Sequence, residues 1–325
     1  MAGCVCCRLT TEAEAVDRTS IGLPGVQSAL TKAVVAANPN TVLIMLNAGP
    51  LAIEWEVRVM APPHRRYSVL SPCHDMVLVL WALPVQAVHI PAIVEGFFPG
   101  ELGGDVVAAV LLGDVAPAGR LPTTVYPADY ISRNMTDYDL SSGNGTTHLY
   151  YIGQPLYKFG WGMSYSAFTF EMHTDDNQDA TDGGGGESVQ AQAPSRRPAH
   201  FSTAGIAAGV ETIAYSVRVT NAGAMASAVS VVAMLSSEHV DAVRNEQLVD
   251  FDKTPVLQPG ESTIVRLGVS KERLALIDAL GDERIAAGEY QLRLGGAGSG
   301  AKRGDDFVQA TFTLRSVARV HGYCA

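Results

Sequence analysis

Thr41-Val42-Leu43-Ile44-Met45-Leu46 is an uncharged, almost wholly apolar run, closed by Asn47-Ala48-Gly49-Pro50. So short and continuous a run, stopped by turn formers, reads as a β-strand buried on both faces, as in a parallel sheet, with a turn at its carboxyl edge. Upstream, Leu23-Pro24-Gly25 precedes residues 26–37, rich in Ala, Val and Leu at helical spacing and ended by Asn38-Pro39-Asn40. Downstream, residues 91–96 form a second short strand, followed by the glycine-rich Phe98-Pro99-Gly100-Glu101-Leu102-Gly103-Gly104. Residues 105–112 then read as an amphipathic helix with Asp105 as N-cap and Gly113 just past its end. Alternating helix and strand at this spacing defines an α/β layered domain. Residues 4–9 add a short buried strand in which Cys4, Cys6 and Cys7 act as small hydrophobes.

The second half is patterned differently. Residues 178–195 are rich in Gly, Asp, Gln and Ser, with four consecutive glycines, and read as a flexible linker or insertion. Alternating strands follow at 212–220, 227–236, 262–269, 288–294 and 307–314, punctuated by Asn221-Ala222-Gly223 and Gln258-Pro259-Gly260. Short alternating strands with regular turns predict a β-sandwich of about 100 residues. The domain layout is an α/β domain over 1–172 with an insertion near 57–88, a linker over 173–200 and a β-sandwich over 201–318.

Composition narrows the function classes. The chain has 325 residues, 47% apolar and 17% charged, enough core for two domains. With 33 acids against 23 bases it carries no basic footprint, so nucleic acid is not an expected partner. Five cysteines exclude a disulfide scaffold, and Cys4-Val5-Cys6-Cys7 lacks the paired spacing of a zinc site. The eight histidines form no ligand motif. One uncharged run, residues 76–94, approaches membrane-spanning length but is interrupted by Pro84, Gln86, His89 and Pro91, and reads as buried strand plus connection, with no membrane partner. No secretory signal is read in the opening segment.

Several segments in order resemble glycoside hydrolase family 3, in its β-xylosidase/β-glucosidase branch. They are Glu12-Ala13-Glu14-Ala15-Val16-Asp17-Arg18 running into Leu23-Pro24-Gly25; Leu46-Asn47-Ala48-Gly49-Pro50; Gly96-Phe97-Phe98-Pro99-Gly100-Glu101-Leu102-Gly103-Gly104; Gly113-Asp114-Val115-Ala116-Pro117-Ala118-Gly119-Arg120-Leu121-Pro122; and Phe159-Gly160-Trp161-Gly162-Met163-Ser164-Tyr165. Val217-Arg218-Val219-Thr220-Asn221-Ala222-Gly223 and Leu257-Gln258-Pro259-Gly260-Glu261-Ser262 resemble the fibronectin-III-like domain that closes many members. The resemblance implies an incomplete α/β/α sandwich followed by a fibronectin-III-like, immunoglobulin-like β-sandwich. It also implies a (β/α)8-like barrel, supplying the nucleophilic Asp and most sugar contacts, that this chain lacks. About 30 residues near 57–88 interrupt the family pattern, and no part of them is read as resembling it.

The implied activity is exo-acting retaining hydrolysis of terminal β-linked xylose or glucose, with no cofactor and an extracellular or vacuolar setting. A retaining glycosidase uses two carboxyls about 5–5.5 Å apart, one attacking the anomeric carbon and the other acting as acid and then base. By resemblance the acid/base is a Glu upstream of an Asp-Arg pair. Glu14, three residues before Asp17-Arg18, fits best, and Glu12 is the runner-up because Glu-Ala-Glu leaves the alignment ambiguous by two residues. With the barrel missing, the chain alone is expected to be inactive. The alternative is a non-catalytic carbohydrate-binding or scaffold fragment.

Other residues receive structural readings. Asp17 and Arg18 suit a pair that fixes the acidic loop, and Asp114 and Arg120 suit a buried ion pair. Gly100-Glu101 with Gly103-Gly104 lacks the Gly-Lys-Ser/Thr of a phosphate loop. Trp161 and Tyr165 suit packing where two domains meet rather than sugar stacking. Asn134-Met135-Thr136 and Asn144-Gly145-Thr146 match the N-glycosylation pattern.

Overall fold

A computed structural model describes residues 18–54, 90–134, 136–173, 212–278, 280–296 and 307–314, together with the backbones of the strands Gly3–Arg8, Val79–Trp81, Val189–Gln190, Ala199–Phe201 and Ala318–His321. The chain divides into two units. One comprises Met1–Ala167, Gly223–Ala228 and Ala297–Arg303; the other comprises Phe168–Ala222, Val229–Gly296 and Gly304–Ala325.

The first unit is built on a sheet of β1 (Gly3–Arg8), β2 (Thr41–Leu46), β3 (Val79–Trp81) and β4 (Ala92–Glu95), in the order β1-β2-β4-β3. β1, β2 and β4 run parallel, and β3 pairs antiparallel with β4. Alternation along β2 sends its side chains into two cores. Leu43 and Met45 join Leu51, Ile53, Ile90, Ile93 and Leu121 on one face, where Val34 and Val35 of α1 (Gln27–Ala37) pack. Ile44 joins Val94 on the other face, against Val106 and Val110 of α2 (Gly103–Leu112). Helices thus cover both faces of a mostly parallel sheet, which is why β2 reads as continuously apolar.

The helix after the glycine-rich turn starts two residues earlier than its sequence suggests. Leu102 occupies the N-cap position without a side-chain cap, and Asp105 lies inside the first turn. There its carboxylate faces the positive end of the helix dipole instead of capping it. Gly103 opens the helix because a Cβ at that position would lie 2.4 Å from Pro99 Cγ. Gly113 ends it as expected, at φ 77°, with its N–H donating to the carbonyls of Ala109 and Val110.

The second unit is a β-sandwich. Its strands are β5 (Phe168–His173), β6 (Val189–Gln190), β7 (Ala199–Phe201), β8 (Thr212–Asn221), β9 (Ser230–Ser237), β10 (Gln247–Lys253), β11 (Ser262–Ser270), β12 (Ala275–Ile277), β13 (Glu283–Ile285), β14 (Gly288–Gly295), β15 (Phe307–Leu314) and β16 (Ala318–His321). One sheet has the order β10-β9-β14-β15-β7 and the facing one β11-β8-β5, with β6 also on β8; β12-β13-β16 form a third, small sheet. Ile213, Tyr215, Val217 and Val219 alternate inward along β8 and meet Val231, Ala233 and Leu235 of β9, Leu292 and Leu294 of β14, and Phe312. Tyr290 and Phe312 stack at 5.3 Å between ring centroids within that core.

Two boundaries differ from the sequence reading. Residues 168–172, assigned there to the end of the first domain, belong to β5, which pairs with β8 from Phe168↔Asn221 to His173↔Ser216. The strand expected from residue 227 begins at Ser230, and Gly223–Ala228 groups with the first unit. β10 has no clean alternation because its register shifts between Leu248 and Asp250. Most of the glycine-rich 173–200 segment lies outside the described residues. Among the described residues no helix is long and apolar enough to cross a membrane.

Candidate functional site

Because β1, β2 and β4 are parallel, the segments that leave Arg8, Leu46 and Glu95 all start from one edge of the sheet. Open α/β sheets bind ligands outside that carboxyl edge. Glu12, Glu14 and Asp17 lie outside the described residues. In sequence they stand between two described positions, Arg8 at the end of β1 and Arg18. Arg18 in turn donates from Nη2 to the carbonyl of Pro50, in the turn after β2, at 3.5 Å. The backbone behind it is pinned as well, with the Ala52 N–H donating to Ile21 O at 2.6 Å and a bridge between Gly22 and Ala52. Arg8 at the end of β1 and Arg18, bonded to the turn after β2, thus flank the acidic segment in sequence.

Two further residues at this edge were not singled out from sequence. Asn47, fully buried at the end of β2, donates from Nδ2 to Gly49 O at 2.8 Å and holds the turn. Glu95 ends β4 with only 4% exposure, and its Oε1 accepts the Phe97 N–H at 3.2 Å. Phe97 itself lies at φ 47°, in the left-handed region. Gly96 between them sits close to β2, where a Cβ would lie 2.9 Å from Leu46 Cδ2 and 3.3 Å from Met45 O, so a larger residue there requires the Leu46 side chain to shift. An acid closing an otherwise apolar strand was the available signal for Glu95.

The remaining motifs are structural. No ion pair joins Asp114 to Arg120 among the described residues, contrary to the sequence expectation. The Asp114 backbone N–H donates to Ala109 O at 2.7 Å, closing the end of α2, and Arg120 donates from Nη1 to Gly119 O at 3.0 Å. Leu121 and Trp161 are joined by a backbone bond of 2.8 Å, and Gly162 packs so closely that a Cβ would meet Gly119 O at 2.6 Å. Trp161 packs against the core around Leu43 and Ile93, 5.9 Å from the Tyr157 ring. Tyr165 packs against the opposite core, and burial pushes its phenol up to about 12. Both serve the interior of the first unit.

This architecture has counterparts among known proteins. The model described as the glycosyl hydrolase family 3 C-terminal domain matches residues 2–62 and 68–165, and the fibronectin type III-like domain matches 235–297. The first match runs through most of the stretch set apart as an insertion near 57–88, leaving out 63–67. Together with the sheet order and the sandwich behind it, these matches define a two-domain segment of a sugar-cleaving enzyme class. The chain belongs to glycoside hydrolase family 3.

Exo-1,4-beta-xylosidase xlnD of Emericella nidulans is 28% identical over 292 residues, which is 88% of this chain and 32% of the relative. Beta-D-xylosidase 1 of Arabidopsis thaliana is 25% identical over 302 residues, 87% of this chain and 34% of the relative. The chain thus spans about a third of the length of these relatives. A solved family 3 exo-beta-xylosidase in complex with a xylobiose aziridine activity-based probe superposes with a TM-score of 0.73 at 22% identity, over 99% of this chain and 37% of that one. The Kluyveromyces marxianus beta-glucosidase in complex with glucose gives a TM-score of 0.67 at 21% identity, over 98% of this chain and 32% of that one. At these identities the two superpositions speak for the fold.

Proposed function

We propose that this chain is the acid/base-bearing C-terminal part of an exo-acting retaining β-glycosidase, a β-xylosidase or β-glucosidase, with Glu14 as the general acid/base and Glu12 as the alternative. The observation that supports it is that the described residues on either side of Glu12 and Glu14 in sequence are Arg8, which ends β1 at the carboxyl edge, and Arg18, which bonds Pro50 O in the turn after β2. Its nearest support elsewhere is that relatives named as xylosidases align over most of this chain.

In the first step a carboxylate of a preceding barrel domain attacks the anomeric carbon. The protonated Glu14 carboxyl gives its proton to the departing oxygen as the glycosidic bond breaks. In the second step the Glu14 carboxylate takes a proton from water, whose oxygen displaces the enzyme carboxylate from the anomeric carbon and restores both groups. The acid must stay protonated before attack, which burial beside the barrel or a neighbouring anion achieves. One carboxyl cannot do both jobs, so the chain on its own leaves aryl β-glycosides intact. An extracellular or vacuolar setting goes with this reading.

The test is a chimera in which this chain replaces the C-terminal third of the Emericella nidulans relative. It is expected to hydrolyse aryl β-xylosides or β-glucosides with retention. Glu14→Gln should slow cleavage of poor leaving groups by about 10²–10⁴-fold. Azide should restore turnover of activated substrates as the β-glycosyl azide, because it needs no general base. Full activity in Glu14→Gln with loss in Glu12→Gln transfers the role to Glu12. Full activity in both removes the proposal.

A further inference from the structure

The loop 126–156 is pinched at its base by Val125 and Tyr157, whose backbones exchange bonds of 2.9 Å and, through Leu156, 2.8 Å. Among its described residues there is no strand, and internal bonds shape it. Arg133 donates from Nη2 to Asp139 O at 2.6 Å, and the Thr146 N–H donates to Leu140 O at 2.8 Å. The Ile152 N–H donates to Asn144 O at 2.8 Å. Gly145, at φ 72°, is packed so that a Cβ would lie 2.2 Å from Tyr150 O. Thr147 is held at φ 56° with its N–H donating to the Tyr126 hydroxyl at 2.8 Å. A β-branched residue in the left-handed region is strained, and such strain concentrates where a loop is shaped for use.

The loop encloses a cleft of about 480 Å³, lined by Asp129, Tyr130, Arg133, Asp137, Tyr151 and Gln154 among others. Its aromatic wall is already locked. Tyr126 stacks on Tyr130 at 3.8 Å and 8°, and Tyr151 stands edge-on to both at 4.9 and 5.8 Å. Arg133 Nε is buried with no hydrogen-bond partner among the described residues.

We propose that this cleft is a binding site for a neutral oligosaccharide. Its volume falls within the range of small-ligand pockets. Tyr130 and Tyr151 offer apolar ring surface suited to the C–H faces of a pyranose. The carboxylates of Asp129 and Asp137, the Gln154 amide and the Arg133 guanidinium line the same cleft and supply both acceptors and donors for hydroxyl groups. Two aspartates against one arginine disfavour an anionic ligand. Burial, then the neighbouring Tyr126, pushes the Tyr130 phenol up to about 12, so it remains a donor at all physiological pH values. The inference goes beyond the proposed acid/base role and does not depend on Glu14.

The test titrates the full chain, made in a host that adds no N-glycans because Asn134 and Asn144 on the rim carry acceptor patterns, with xylotetraose, cellotetraose and trigalacturonate. Calorimetry is expected to give millimolar or tighter binding of one neutral tetrasaccharide, and at least tenfold weaker binding of the acidic trimer. Arg133→Met and the exposed Gln154→Ala should each weaken neutral binding at least fivefold without changing the circular-dichroism spectrum. Glu14→Gln should leave it unchanged, which separates this site from the catalytic proposal. Absence of neutral binding, equal binding of the acidic trimer, or neutral binding unaltered in Gln154→Ala overturns it.

Discussion

The Tyr165 hydroxyl donates to the carbonyl oxygen of Val110 at 2.7 Å, tying the segment after Trp161 to the last turn of α2. The same carbonyl accepts the Gly113 N–H at 3.0 Å, so it keeps one partner when the phenol is removed. Tyr165→Phe is therefore expected to cost only about 0.5–1.5 kcal/mol, measured by urea unfolding, with no change in oligosaccharide binding. A larger loss would mean that Tyr165 does more than close a helix end.

Two glycines should respond in opposite directions. Gly104→Ala, inside α2 with open space around the new methyl, is expected to raise stability by about 0.5–1 kcal/mol. Gly145→Ala has to enter the left-handed region and clear Tyr150 O, and should cost more than 1 kcal/mol. Thermal unfolding of the two variants side by side reads the contrast, and equal shifts would contradict the packing.

His148 stacks on Phe159 at 4.1 Å between centroids, and burial lowers its pKa below the usual 6.5. The folded imidazole stays neutral where the unfolded one takes up a proton. Its contribution is thus present above about pH 6.5 and is lost as pH falls through the lowered folded value. Melting temperatures between about pH 7.5 and 5 should fall more steeply in the parent chain than in His148→Phe, which keeps the stack without the titration. Parallel curves would show that another group governs the acid limb.

In the sandwich, Phe312 is fully buried against Tyr290 and Leu294 lies in the same core. Phe312→Ala is expected to cost about 3–5 kcal/mol by denaturant unfolding, through lost transfer energy and the cavity left behind. A cost below about 1 kcal/mol would contradict so closed a core.

The elements with the strongest local signals were legible in the sequence. β2 occupies Thr41–Leu46 as read, since a strand covered on both faces must be apolar throughout. β15 likewise spans Phe307–Leu314. β5 was missed because Phe168–His173 abuts the polar 173–200 stretch and finds its partner in β8, some forty residues on. No local pattern announces a pairing at that range. The candidates Glu14 and Glu12 rest on a family motif alone and lie outside the described residues. Glu95 and the tyrosine cleft depend on tertiary closure, which spacing alone does not reveal. The Asp114–Arg120 pairing failed for the same reason: two residues of one motif need not face each other, and the Arg120 Nη1 bonds Gly119 O.

Phe97 carries one last implication. An L-residue with a large side chain in the left-handed region costs about 1–2 kcal/mol, so the bend after β4 is wound against its own backbone preference and latched by Glu95. When heat or denaturant loosens the latch, this bend should spring before the strand that precedes it. Deuterium should then enter the amides of Phe97 and Phe98 while those of Ile93 and Val94 are still closed to solvent.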